Sequence, residues 1–87
     1  MKMIIVIVKD SDAESVTQAL TSKDFRVTRI ASTGGFLRSG VVTLLIGVSD
    51  ERVEAGIQVI RDQLGTSASK ESRATLFVVP VQRFEQV

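Results

Sequence analysis

Apolar and polar positions along this 87-residue chain change period several times, from strand-like to helix-like and back. Residues 3–8, Met-Ile-Ile-Val-Ile-Val, form a short, β-branched run that is apolar on both faces, which suits a buried strand better than a helical turn. Ser11 and Glu14 then stand at capping-box spacing, and Asp10 and Asp12 add negative charge near a helix start. Ala13, Val16, Ala19 and Leu20 follow on one side at helical spacing, so the pattern predicts a helix over residues 12–23. Residues 25–32 (FRVTRIAS) are rich in strand formers, and residues 40–48 (GVVTLLIGV) read as a strong strand that carries Gly47. Ser49, Asp50 and Glu51 supply a second helix start with an acidic first turn. Val53, Ile57, Ile60 and Leu64 then mark an amphipathic helix that ends near Gly65. Residues 65–72 are a polar, small-residue loop, and residues 74–81 (ATLFVVPV) are the last strand, with Pro80 near its end where a strand terminus or edge tolerates it.

The order β-α-β-β-α-β predicts a single α+β domain over residues 1–87. It is the ferredoxin-like arrangement, with both helices packed on one face of an antiparallel four-stranded sheet. One feature conflicts with a lone domain of this kind, whose uncovered face should alternate to polar residues, because the strands stay apolar on both faces. About eight apolar side chains on that face, at about 50 Å² each, amount to roughly 400 Å², the size of the largest patches that monomers expose. Covering it at about 25 cal/mol/Å² would contribute on the order of 10 kcal/mol gross, comparable to the net stability of a whole domain. The expectation is that this face packs against copies of the same chain.

Composition narrows the chemistry. A chain this short buries only about 60 to 65% of its unfolded surface, which again favours oligomerisation. There is no Cys and no His, which removes disulfides, thiolate chemistry, the commonest metal ligand and the one side chain that titrates near neutrality. The lack of disulfide staples fits a reducing cytoplasm. The first residues, MKMIIVIVKDSD, imitate a signal peptide only faintly and read as a strand, and no apolar run reaches the roughly 20 residues of a membrane span. Eleven basic residues are scattered among ten acidic ones for a net charge of +1, so nucleic acid is not implied by bulk electrostatics. Acylphosphatases share this fold class and need a phosphate-binding loop with an Arg just after the first strand; here that place holds the acidic KDSDAES. No carboxylate pair stands out, and catalysis is not expected.

Binding is better supported. Arg26 and Thr28 lie two apart on one strand and so project from the same face. The guanidinium offers a fork to phosphate and a flat surface to a base, and the hydroxyl donates or accepts. Gly34 and Gly35 admit positive φ and close approach of a ligand to backbone N–H groups, although adjacent glycines are also an ordinary turn. Phe36 and Leu37 suit packing against a purine, and equally suit a plug that pins the loop or a contact between subunits.

The run FRVTRIASTGGFLRSG, residues 25–40, closely resembles the signature of the PII-like cyclic-di-AMP receptor proteins of bacteria, small cytoplasmic signal-transduction proteins with ferredoxin-like subunits that form trimers. The likeness covers nearly the whole chain apart from residues 65–72. It implies a homotrimer that binds cyclic-di-AMP in clefts between adjacent subunits, without a cofactor or catalytic residues, and that signals to a downstream protein. By motif, Arg26 and Thr28 would contact ligand from the second strand, Gly35, Phe36 and Leu37 from the loop, and Gly47 from the backbone bordering the pocket. Phe77 and Gln86 match the closing strand and tail that also contribute to the site. Two departures stand out. Val41 replaces the usual Asn, whose amide is expected to hydrogen-bond adenine, and the loop at 65–72 is much shorter than the family's usual long loop. A PII-like trimer for ATP or ADP, or an interaction module that has lost its ligand, are the alternatives.

Overall fold

A computed structural model describes residues 1–30, 40–65 and 74–87. Strand β1 (Lys2–Lys9) runs directly into helix α1 (Asp10–Ser22). Strands β2 (Arg26–Ile30) and β3 (Val41–Val48) follow. A 3-10 turn (Asp50–Arg52) then leads into helix α2 (Val53–Leu64), and strand β4 (Ala74–Pro80) precedes an exposed tail. The sheet order is β2-β3-β1-β4, and all three neighbouring pairs are antiparallel. The expected ferredoxin-like arrangement is therefore the observed one.

Strand alternation divides the apolar residues between two faces. Ile4, Val6 and Val8 of β1 and Val42, Leu44, Ile46 and Val48 of β3 are buried beneath the helices, which contribute Ala13, Val16 and Leu20 from α1 and Ile60 and Leu64 from α2. Among the described residues this core contains no buried polar or charged side chain. Gly56 on α2 is part of it, because a Cβ there would meet Ile4 Cδ1 at 3.1 Å and Phe25 Cε1 at 3.3 Å. The missing side chain sets how closely α2 seats on Phe25 and the sheet. Arg52 closes the same corner from outside: its guanidinium lies 4.0 Å from the Phe25 ring centroid and donates to the carbonyls of Lys23 (2.8 Å) and Asp24 (3.4 Å) just past the end of α1.

The predicted capping box does not form. Helix α1 begins at Asp10, two residues before the expected start, with extended Lys9 at its N-cap and no side-chain cap hydrogen bond. Ser11 lies inside the first turn, where it cannot cap. The chain enters the helix straight from the ladder, since the Asp10 N–H donates to the Gly40 carbonyl at 2.7 Å. The second expected stop is observed: α2 ends at Leu64, and Gly65 adopts φ 75° with its N–H donating to the Arg61 carbonyl at 2.9 Å.

Candidate functional site

The face of the sheet away from the helices is assembled by register into rungs. Arg26, Gly47, Met3 and Val79 form one rung across the four strands. Thr28, Leu45, Ile5 and Phe77 form the next, followed by Ile30, Thr43, Ile7 and Thr75. Every strand thus contributes apolar groups to a face that no described element covers; Ile30 and Phe77 are 43% and 52% exposed, and Met3, Ile5, Ile7, Leu45 and Val79 are half-buried.

Period-two alternation also separates two arginines of β2. Arg29 points to the helix side, where Asp10 Oδ1 lies at 2.9 Å and Glu14 Oε2 at 3.9 Å. Arg26, three residues earlier, emerges on the open face, exposed and without a carboxylate partner among the described residues. Directly across from it stands Gly47, with no side chain to occupy the space above β3. A Cβ there would meet only the Met1 Cε, at 3.1 Å, so the terminal methyl of Met1 borders this position. Met1 is held nearby through its amino group, 3.1 Å from Asp50 Oδ1, and its carbonyl accepts the Val81 N–H at 3.0 Å. The hydrogen bond and charge of that ammonium keep the Asp50 carboxyl below the usual aspartate range.

Of the residues singled out in the sequence, the structure brings Arg26, Thr28 and Gly47 together on adjacent rungs at the β2 edge. Phe77 shares the face and the Thr28 rung, but on the opposite edge, three strand spacings or about 14 Å away. Gln86 lies in the exposed tail beyond β4. Gly35, Phe36 and Leu37 lie outside the described residues. Val41 sits on the same face as Arg26, at the other end of β3, opposite Lys9. Neither Met1 nor Lys9 emerged from the sequence reading. A signal for Lys9 was present, because counting by twos from Met3 through Ile5 and Ile7 reaches it on the open face; nothing in the sequence indicated Met1.

Among the described residues no cluster of three or more His, Cys, Asp or Glu is arranged to hold a metal ion, and no helix is long and apolar enough to cross a membrane.

Four antiparallel strands in this order, with both helices on one side and a cation beside a strand glycine on the other, define a ferredoxin-like domain whose second sheet face no described element covers. The family model of the cyclic-di-AMP receptors matches residues 1–71, and the chain belongs to that family. It is also similar, at 33% identity and a TM-score of 0.78 over 99% of this chain and 96% of the other, to the crystal structure of a protein of unknown function from Pediococcus pentosaceus ATCC 25745.

Proposed function

We propose that the protein is a non-enzymatic cytoplasmic receptor, one PII-like domain over residues 1–87, that binds cyclic-di-AMP in clefts between the subunits of a homotrimer. The observation that carries this reading, given the family, is the exposed Arg26, without a carboxylate partner among the described residues, beside Thr28 and Gly47 on an apolar face that no described element covers. A guanidinium can fork onto a phosphate oxygen pair, Thr28 can hydrogen-bond the ribose or base, and Gly47 admits close approach to the backbone once the flexible Met1 side chain turns aside.

The separation of Phe77 from Arg26 supports a shared site. A ligand at the β2 edge cannot also reach the β4 edge of the same subunit without crossing the central strands. In a head-to-tail ring the β4 edge of one copy meets the β2 edge of the next, so Phe77 and Gln86 of a neighbour would complete a cleft begun by Arg26. The same packing would cover the apolar rungs. Gly35, Phe36 and Leu37 are assigned to the ligand by motif, and the family's output through a downstream protein would here run over a shortened loop at 65–72.

The test is titration of cyclic-di-AMP into the wild type and Arg26→Ala, followed by calorimetry and thermal melting. The wild type should bind about one ligand per subunit and gain melting temperature by mass action. Arg26→Ala, at an exposed position, should melt like the unliganded wild type and show no gain. Absence of any shift in the wild type at excess ligand defeats the ligand assignment. Val41 favours a second reading, in which a nucleotide such as ATP or ADP fills the cleft; a panel of nucleotides in the same melting assay separates the two.

A further inference from the structure

Arg26 is the first residue of β2, a short edge strand that pairs only with β3, and its partner Gly47 lies in the last rung that the two strands share. A terminal rung at a sheet edge frays unless something outside the ladder holds it. Here Arg52, in the 3-10 turn that follows β3, supplies that hold. Its guanidinium donates to the Lys23 carbonyl at 2.8 Å and, more weakly, to the Asp24 carbonyl at 3.4 Å, and it lies 4.0 Å from the centroid of the Phe25 ring. One side chain therefore grips the three residues that lead into Arg26. The turn they make is an uncommon one, since Asp24 stands at φ 65° and the Phe25 N–H reaches back to the Leu20 carbonyl at 3.0 Å. Arg52 thus ties the segment entering β2 to the segment leaving β3, at the end of the sheet where Arg26 and Gly47 stand.

We propose that Arg52 is a positioning residue of the ligand site: by clamping residues 23–25 it fixes the backbone from which Arg26 reaches a phosphate. The inference rests on the proposed cyclic-di-AMP cleft and concerns what aims its guanidinium. Arg52 itself touches no ligand on the open face. Phe25, over which it stacks, is buried in the core on the helix side, whereas Arg26, the next residue along the pleat, emerges on the opposite face. A forked contact between guanidinium and phosphate depends on direction as well as distance, so a small displacement of the strand end costs one or both of its hydrogen bonds. Arg52 is suited to the clamp because its planar fork can span two carbonyls and stack on a ring at once, which a compact ammonium cannot do.

The experiment measures cyclic-di-AMP affinity by calorimetry well below the melting temperature, and the melting temperature itself, for the wild type, Arg52→Met, Arg52→Lys and Ile60→Val. Arg52→Met keeps an aliphatic stem and loses the donors. Ile60→Val trims a buried side chain about two turns further along α2 and controls for stability alone. Both should melt a few degrees below the wild type, but only Arg52→Met should bind more weakly, by about tenfold, the order of one charge-assisted hydrogen bond. Arg52→Lys should stay clearly weaker than the wild type; full recovery would mean that charge alone attracts the anion and would overturn the clamp. Unchanged affinity in Arg52→Met, or equal weakening in Ile60→Val, would reduce Arg52 to a purely structural role while leaving the receptor reading standing. In an Arg26→Lys background, whose point charge needs no such alignment, Arg52→Met should cost clearly less affinity, and an equal cost would show that Arg52 does not act through Arg26. Failure of the wild type to bind would instead defeat the cleft itself, and this inference with it.

Discussion

At position 41 a branched hydrocarbon stands where the resemblance implies an Asn, on the same face as Arg26 and at the far end of the same β3 strand as Gly47. If the cleft excludes water, an adenine edge opposite Val41 loses a hydrogen bond worth about 1 to 3 kcal/mol. Val41→Asn is expected to tighten cyclic-di-AMP binding by roughly 5- to 150-fold in calorimetry. No gain would mean that the site serves another base or nucleotide. Position 41 is half-buried and solvent-facing in the single chain, so the substitution should leave the fold intact. The contrast between Arg26 and Arg29 is decided at this scale too. Both are exposed arginines of one short strand, yet the pleat gives one of them two carboxylates and turns the other to the opposite face, where it has no carboxylate partner among the described residues.

At the scale of elements, the seat of α2 depends on a glycine in mid-helix. Gly56→Ala gains about 1 kcal/mol of intrinsic helix propensity. It also forces a methyl to within 3.1 Å of Ile4 Cδ1, a fully buried atom group in the central strand, and to within 3.3 Å of the Phe25 ring. Overpacking of this kind costs about 1 to 3 kcal/mol, so the substitution should destabilise by about 1 kcal/mol net and lower the melting temperature by several degrees. An increase in melting temperature would show that Ile4 has room to rotate away. The helical period in the sequence located α2 and its apolar side through Ile57, Ile60 and Leu64, but Gly56 reads there only as a weak helix former. Its role follows from the approach of another element. The failed capping box has a similar cause: Ser11 and Glu14 have the right spacing, and the β1–β3 ladder, which runs through Lys9 opposite Val41, carries the chain into the helix before they can act.

At the scale of the whole molecule, the question is what covers the second face of the sheet. Ile5 lies on the central β1 strand, in the rung that joins Thr28, Leu45 and Phe77, with no helix above it. Ile5→Asp would set a carboxylate in the middle of the proposed subunit contact, at a position half-buried in the single chain. Light scattering after gel filtration should find a trimer for the wild type and a monomer for Ile5→Asp, which should also lose cyclic-di-AMP although Arg26 and Thr28 are untouched. A monomeric wild type would end the shared-cleft reading. A trimeric Ile5→Asp would place the contact elsewhere.

The order of elements, the two-sided apolar strands and the run from Phe25 to Gly40 were legible in the sequence because each is a local property: a period, a composition or a motif within one segment. From them came the ferredoxin-like fold, the expectation of an apolar uncovered face, and Arg26 with Thr28 on one side of their strand. The tertiary structure alone decided which residues share a rung. Pairing Arg26 with Gly47, Val41 with Lys9, and setting Phe77 on the far edge from Thr28 are matters of register between strands distant in sequence. A shift of one residue would have turned each of these side chains to the opposite face. Alternation within a strand fixes which residues share a side; only the hydrogen-bonded ladder fixes which of them stand beside one another.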